Sequence, residues 1–347
     1  MRELNYPFPM DTLTHITIGA CVGEAILTKK IGKKALLWGA IAQNLPDIDS
    51  VTSLWLSPAE NLLVHRGITH SLVVAFLLPA LLAGLIRRFY PQVSFLRLYG
   101  FGVLQLLLHD LLDLCNSYGT GILEPFSSQR LTFNLLYVID PLFTLSLVVA
   151  SIALWQLRPE AASRRVWLLA GLIPCGLYTL WTIEHKRRIN EEIEASLTAQ
   201  HLPYSDYFTT PTPFNGLLWY AVAKSGADYQ LGYRSVWDRG QTAFHYVPKG
   251  EELLTHENAQ VQNLKYFSRG FYTVSRKESV LQFNVLRFGQ IRGWENPDAE
   301  FAFHFYLTPG YDNRLVMQRG RFTGWTWKSV QQMFRRIKGE TGNLEKY

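Results

Sequence analysis

Six apolar runs, at about residues 13–27, 35–46, 71–86, 98–115, 142–157 and 166–183, constrain this chain more than any other feature. Roughly 20 apolar residues are needed to cross a hydrocarbon core of about 30 Å. Backbone amides inside lipid must find partners within the segment itself, which selects the helix. The runs 71–86, 98–115, 142–157 and 166–183 read as spanning helices, and the first two as re-entrant or packed within the bundle. The expected fold is mainly α, a multi-pass membrane helical bundle.

The mean hydropathy of +0.01 averages this half with a polar, aromatic second half. From about 184 the composition changes to a charged helical stretch, "RRINEEIEASLTAQ", and then to a Pro/Thr/Tyr connector, "LPYSDYFTTPTPFN". Alternating stretches follow, among them "LLWYAVAK", "DYQLGYRSV", "ESVLQFNVLRFG" and "EFAFHFYL", separated by Gly, Asp and Pro. They predict a small antiparallel β domain of five to seven strands. The expected organisation is a membrane-embedded helical domain over 1–185, a helix and linker over 186–214, and a β-rich C-terminal domain over 215–347.

The net charge of +6 does not describe a nucleic-acid-binding face, because Lys and Arg fall in short loops between apolar runs. Lys29, Lys30, Lys33 and Lys34 share one loop; Arg87, Arg88 and Arg97 the next but one; Arg158, Arg164 and Arg165 a third. The intervening segments hold only Arg2, Arg66 and Arg130. The positive-inside rule makes the basic loops cytoplasmic and predicts an extracytoplasmic C-terminal domain. "EHKRR" at 184–188 runs against that orientation. Cys21, Cys115 and Cys175 lie in apolar stretches without C-x-x-C spacing, which predicts core residues rather than a disulfide framework or thiolate zinc site. Two prolines and an aspartate within the first twelve residues argue against a cleavable signal peptide of the usual form.

Acids and histidines gather at the ends of the apolar runs, almost all on one side: Asp11 and His15, Asp47 and Asp49 in "PDID", His65 and His70 in "HRGITHS", His109, Asp110 and Asp113 in "HDLLD", and Asp140. An ionisable group at membrane depth is costly unless paired or bound to metal, so each is a functional candidate. His109 and Asp113, four apart, share one helical face and can reach one ion, while Asp110 points elsewhere. Asp47 and Asp49 are expected to point to the same side of an extended turn. His65 and His70 flank a glycine that lets the backbone fold between them, and His15 opens a helix in which Gly19 and Gly23 allow close approach by another. Asp140 before Pro141 reads as a helix cap, and His185, His201, His245, His256 and His304 as structural. The proposed ligands are thus His15, Asp47, Asp49, His65, His70, His109 and Asp113, with Asp49, His65 and Arg66 as catalytic residues, Arg66 holding a phosphate oxygen or snorkelling at the interface. Imidazole with carboxylate suits Zn²⁺ first, and also Mn²⁺ or Fe²⁺, at two or three ions per site.

Thr14-His15, Pro46-Asp47-Ile48-Asp49, His65 to Ser71, His109 to Asp113, Tyr118-Gly119-Thr120 and Pro125-Phe126, in this order, resemble the YdjM-type family of LexA-regulated, inner-membrane-bound metal-dependent hydrolases. The resemblance covers roughly residues 10–180. It implies metal-assisted hydrolysis, with a phosphate ester of a lipid or lipid-linked molecule as substrate and the bilayer as partner. The ligand order is also similar to that of zinc-dependent phospholipase C, an all-α enzyme with three zinc ions. The chain lacks that enzyme's later H-x-x-x-E, since Ile189 stands four after His185. Three other readings compete: a metal-ion or proton transporter, a membrane scaffold stapled by metal, and an HD-type phosphohydrolase that would use Asp110 in place of Asp113. The oligomeric state has no signature in the sequence.

Overall fold

A computed structural model describes residues 12–311, 313 and 325–340. The apolar runs fold as α1 (Thr12–Ile31), α2 (Lys34–Gln43), α4 (Leu72–Phe89), α5 (Phe95–Cys115), α6 (Pro141–Gln156) and the first part of α7 (Ser163–Ala199). Between α2 and α4 lie a 3₁₀ segment, Pro46–Leu54, the short helix α3 (Pro58–Val64) and a 3₁₀ turn, Ile68–His70. Three of the four predicted spanning runs, in α4, α5 and α7, belong to helices long and apolar enough to cross a membrane. The fourth, α6, has 16 residues, about 24 Å at 1.5 Å per residue and short of the core thickness. Leu77, Leu81 and Leu85, one turn apart on α4, are exposed, as are Ile173, Leu177 and Leu180 on α7. Such apolar stripes suit lipid and not water.

Helix ends follow cap chemistry. The Ser71 and Ser94 side chains accept from the amides of Val74 and Arg97. Asp140 accepts from the amides of Leu142 and Phe143 and from the Tyr178 hydroxyl, the cap role read for it. Basic residues mark one end of four helices: Lys29 and Lys30 close α1, Arg87 and Arg88 close α4, and Arg97 and Arg164 lie in the first turns of α5 and α7, while Lys186, Arg187 and Arg188 lie further along α7. The three cysteines are free and buried, as core residues.

Glycine brings α1 and α2 into backbone contact. A Cβ on Gly39 would lie 2.0 Å from the Gly19 carbonyl oxygen, and one on Gly23 2.1 Å from that of Ala35. Gln105 on α5 donates to the same Gly19 carbonyl at 3.1 Å, tying the third helix to the pair. At the basic end, Glu24 of α1 and Arg164 of α7 form a buried ion pair. Arg164 also donates from Nη1 to the carbonyls of Leu154 and Leu157, at the otherwise open C-terminus of α6. Arg164→Ala would strand the Glu24 carboxylate in the interior, and a loss of about 3–5 kcal/mol is expected in unfolding of the detergent-solubilised chain. A change below about 1 kcal/mol would show the pair to behave as a surface one.

The chain divides into two compact units, one comprising residues up to Leu56 with Leu63–Trp181, the other Ser57–Leu62 with residues from Thr182 on. The composition change near 184 does not interrupt α7, which runs unbroken for 37 residues. In the second unit β1 (Asp206–Pro211), β2 (Leu218–Ser225), β3 (Asp228–Ser235) and β4 (Phe244–Val247) form an antiparallel sheet in sequence order. A second antiparallel sheet holds β5 (Tyr272–Lys277), β6 (Val280–Val285) and β7 (His304–Tyr306). The helices α8 (Ala259–Ser268) and α9 (Trp327–Ile337) and two 3₁₀ turns, Glu251–Leu253 and Leu286–Phe288, complete the described elements. Strand β2 is covered on both faces, as its alternation requires. Trp219, Ala221 and Ala223 pack with Ile189, Ile193 and Leu197 of α7, while Leu218, Tyr220 and Val222 join a core with Met333 and Ile337 of α9.

Candidate metal centre

Every predicted ligand that the structure describes lies at the helix ends opposite the basic residues: His15 in the first turn of α1, Asp47 and Asp49 after α2, His65 and His70 before α4, His109 and Asp113 in the last turns of α5. Asp11 lies outside the described residues. Asp47 and Asp49 sit on a 3₁₀ segment, not in the extended turn expected. With about three residues per turn, positions two apart diverge by about 120°. The two carboxylates accordingly meet opposite nitrogens of one ring, Asp49 Oδ2 lying 3.3 Å from His70 Nδ1 and Asp47 Oδ1 facing its Nε2, and they still come together in one set with His65.

Asp47 Oδ1 lies 3.4 Å from His70 Nε2 and 3.7 Å from His109 Nε2. Asp113 Oδ2 lies 3.3 Å from His70 Nε2 and 3.6 Å from His109 Nε2, and the two Nε2 atoms are 3.0 Å apart. A tetrahedral ion with bonds of about 2.0–2.2 Å needs ligand–ligand edges of about 3.3–3.6 Å. Five edges of the set Asp47, His70, His109 and Asp113 centre on that span. All four residues are buried, and they form a group that could hold a metal ion.

Protonation points the same way. His109 Nδ1 lies 2.6 Å from the Gln43 carbonyl, which only accepts, so Nδ1 carries the proton and Nε2 presents a lone pair. Thr69 Oγ1 donates to Asp49 Oδ2 at 2.6 Å, which leaves it to accept from His70 Nδ1 at 3.0 Å. His70 Nε2 then also presents a lone pair, facing that of His109. Only a cation or a proton between them reconciles two lone pairs at this distance. Burial opposes charge on His70, but the carboxylates of Asp113, Asp47 and Asp49 outweigh it and hold its pKa well above the ordinary imidazole value. The centre demands positive charge.

Asp47 belongs also to a second set, with Asp49 and His65. His65 Nδ1 lies 2.7 Å from Asp49 Oδ1, and the Arg66 amide donates to Asp49 Oδ2 at 3.0 Å. Burial pushes the Asp49 carboxyl up, but the hydrogen bonds from His65 and His70 prevail and hold it below the usual carboxylate range. His65 is the most accessible of the group, its side chain 16% exposed against at most 7% for the others in these pairs.

His15 stands beside the four-residue set, its Nε2 3.4 Å from Asp113 Oδ1 and its ring tilted by 31° against that of His109 at 4.1 Å. Arg66 is buried and does not snorkel. Its Nε pairs with Asp113 at 2.9 Å, its Nη1 donates to Asn116 at 2.7 Å, and its plane lies over Tyr118. Asp110 is buried outside both sets, with neither oxygen hydrogen-bonded among the described residues. The geometry thus favours Asp113 over Asp110 as the α5 carboxylate of the cluster, against the HD-type reading.

Several supporting groups escaped the sequence reading. Arg130 donates to the carbonyls of Leu63, His65 and Gly119, clamping the histidine loop. Gly67 sits where a Cβ would come 2.9 Å from the Val64 carbonyl oxygen, and Arg66 before it has φ +60°, a conformation that costs a non-glycine residue. Thr69 was visible within "HRGITHS", but its bridging of Asp49 and His70 was not. Removing that hydroxyl in Thr69→Val is expected to weaken divalent-ion affinity about 10–100-fold, read by competition with a chromogenic chelator. An unchanged affinity would exclude Thr69 from orienting the ligands.

Comparison with known proteins places this site within a family. The profile described as YdjM inner membrane protein matches residues 10–189, which include every proposed ligand. The chain is 26% identical over 345 residues to the uncharacterized protein YfhP of Bacillus subtilis (strain 168), covering 95% of this chain and 99% of that protein. It is 35% identical over 120 residues to the inner membrane protein YbcI of Escherichia coli (strain K12), covering 34% of this chain and 69% of that protein. No solved structure matches.

Proposed function

The chain belongs to the YdjM inner membrane protein family, and from that membership and its buried ligand set we propose a membrane-bound metal-dependent hydrolase of phosphate esters carried on lipids or lipid-linked molecules. The observation that carries this reading is the sharing of Asp47 between the sets Asp47–His70–His109–Asp113 and Asp47–Asp49–His65. A carboxylate common to two cation sets is the arrangement of two-ion phosphoryl-transfer sites. The donors are nitrogen and oxygen only, which suits Zn²⁺, Mn²⁺ or Fe²⁺. When bound, such ions supply Lewis acidity and bring the pKa of water towards neutrality.

The chain's own residues do the rest. Asp49 holds His65 through Nδ1 and so orients the ring, which leaves Nε2 of the most accessible residue in the site to complete the Asp47–Asp49–His65 set nearest the substrate. Nε and Nη1 of Arg66 are committed to Asp113 and Asn116; Nη2, unbonded among the described residues, is the donor left for a phosphoryl oxygen. His15 steadies Asp113 from the other side or adds a further ligand. Support for a lipid substrate comes from the rim: Ile48 between the two aspartates, Ile68 beside Thr69, and Phe126 in the loop that meets the Arg66 carbonyl through Gly121 are all exposed. The ligand-bearing helix ends lie opposite the basic ends, which supports an extracytoplasmic site.

The test is a panel of soluble and acylated phosphomonoesters and phosphodiesters offered to the detergent-purified chain with Zn²⁺ or Mn²⁺. The expected result is chelator-sensitive hydrolysis that prefers acylated substrates and falls about 10²–10⁴-fold in His65→Ala. Hydrolysis indifferent to chelator and to His65→Ala would overturn the reading.

A further inference from the structure

Helix α9 presents two opposite faces that make different demands. Ser329, Met333, Arg336 and Ile337 are buried, and Arg336 fixes this face by donating to Asp238 at 2.6 and 2.7 Å and to the Tyr233 carbonyl at 2.7 Å. At 100° per residue the far side gathers Phe334, Trp327, Lys338, Gln331, Arg335 and Lys328 into an arc of about 120°. All six are exposed, and Trp327 and Phe334, the residues a water-facing helix would turn inward, are exposed to 73% and 55%. Aromatic rings hold one edge of the arc and cations the other.

A separate element extends the pattern. Asp238, which anchors Arg336, lies between Trp237 and Arg239, both exposed. Among the described residues the acids beside this surface are Asp238, already taken by Arg336, Glu295 and Glu340, against the four cations Lys328, Arg335, Lys338 and Arg239. A helix with exposed Trp and Phe beside Lys and Arg is the composition that lies in a membrane interface, its rings at headgroup depth and its cations on lipid phosphates. The positive sign selects an anionic surface, and each basic side chain near such a surface adds attraction. Residues 10–189 match an inner membrane protein family, so a bilayer is a surface this chain meets.

We propose that the exposed face of α9, with Trp237 and Arg239 at its C-terminal end, is a docking surface for an anionic phospholipid bilayer. This holds whatever reaction the metal centre performs. The aromatic edge enters the interface and the Lys/Arg edge sets the lipid preference, so the second unit is held on the membrane by a contact separate from the spanning helices.

The test uses the full chain in nanodiscs of phosphatidylcholine alone or mixed with phosphatidylglycerol, with an environment-sensitive fluorophore on Gln331→Cys; the three native cysteines are buried. The expected result is a blue-shifted label quenched by lipids brominated in the upper acyl chain, strongly in the mixed discs and weakly in phosphatidylcholine alone. Combined Lys328→Glu, Arg335→Glu and Lys338→Glu should remove the quenching while circular dichroism is unchanged, and Trp327→Ala with Phe334→Ala should weaken it in both lipids. A label that stays water-exposed in the mixed discs overturns the proposal. So does a shielded label without bromine quenching, which would mean that protein covers the face.

Discussion

Asp47→Ala is expected to abolish phosphate-ester hydrolysis, by on the order of 10³-fold or more in kcat/KM. It is also expected to lower bound divalent metal further than any other single ligand change. The reason is its place in both ligand sets: each other carboxylate serves one set, whereas losing Asp47 leaves both a donor short. The carboxylate is also negative charge that balances buried cations, so the His70–His109 pair should bind metal poorly without it. Metal content and turnover of Asp47→Ala, Asp49→Ala and Asp113→Ala, measured side by side, check this. Equal losses in all three would argue against a shared carboxylate; a mild loss in Asp47→Ala alone would remove it from the centre.

Gly39→Val is expected to have the largest effect on folding. A Cβ at this position meets the Gly19 carbonyl oxygen at 2.0 Å and its carbon at 2.7 Å, both backbone atoms of a facing helix. No rotamer change relieves such a contact; the helices must part. Overpacking of this kind costs about 3 kcal/mol or more, against a total stability of about 5–15 kcal/mol for a typical domain. Parting α1 from α2 also moves the Gly19 carbonyl from Gln105 and carries the Gln43 carbonyl away from His109. Thermal unfolding in detergent should show a markedly lower midpoint, accompanied by loss of metal. Gly84→Val, at a glycine with nothing within 4 Å of an added Cβ, should leave both nearly unchanged. A stable, metal-loaded Gly39→Val protein would mean that the helix pair is looser than described.

What could be read in advance follows a physical line. Helix positions were legible because apolar length is a one-dimensional property, and the small-residue contact of α1 was legible because Gly19 and Gly23 are one turn apart. His109 and Asp113 were legible because four residues make a turn. The backbone at Asp47–Asp49 was misread because an Asp-x-Asp after proline is compatible with both an extended turn and a 3₁₀ segment, and residue type does not choose between them; the two carboxylates still meet in one set with His65. Arg130 reaches the His65 carbonyl across 65 residues, and His109 is oriented by a main-chain carbonyl of Gln43. Contacts to backbone atoms leave no side-chain signature at the accepting position. Arg66 shows the same limit, since only the fold reveals that two of its nitrogens are taken by Asp113 and Asn116. The charge break at 184 was legible as a change of surroundings, yet the backbone of α7 continues through it, because Glu, Lys and Arg favour helix as well as leucine does.

The central claim is that Asp47, His70, His109 and Asp113 enclose a divalent cation. Elemental analysis of the chain purified in detergent without added metal, beside His109→Ala prepared identically, tests it most directly. Near-stoichiometric Zn, Mn or Fe in the parent chain, and its loss in a His109→Ala protein with unchanged helical circular dichroism, is the predicted result. A parent chain that neither contains a divalent transition metal nor takes one up on dialysis, or a His109→Ala protein that retains it in full, would contradict the assignment.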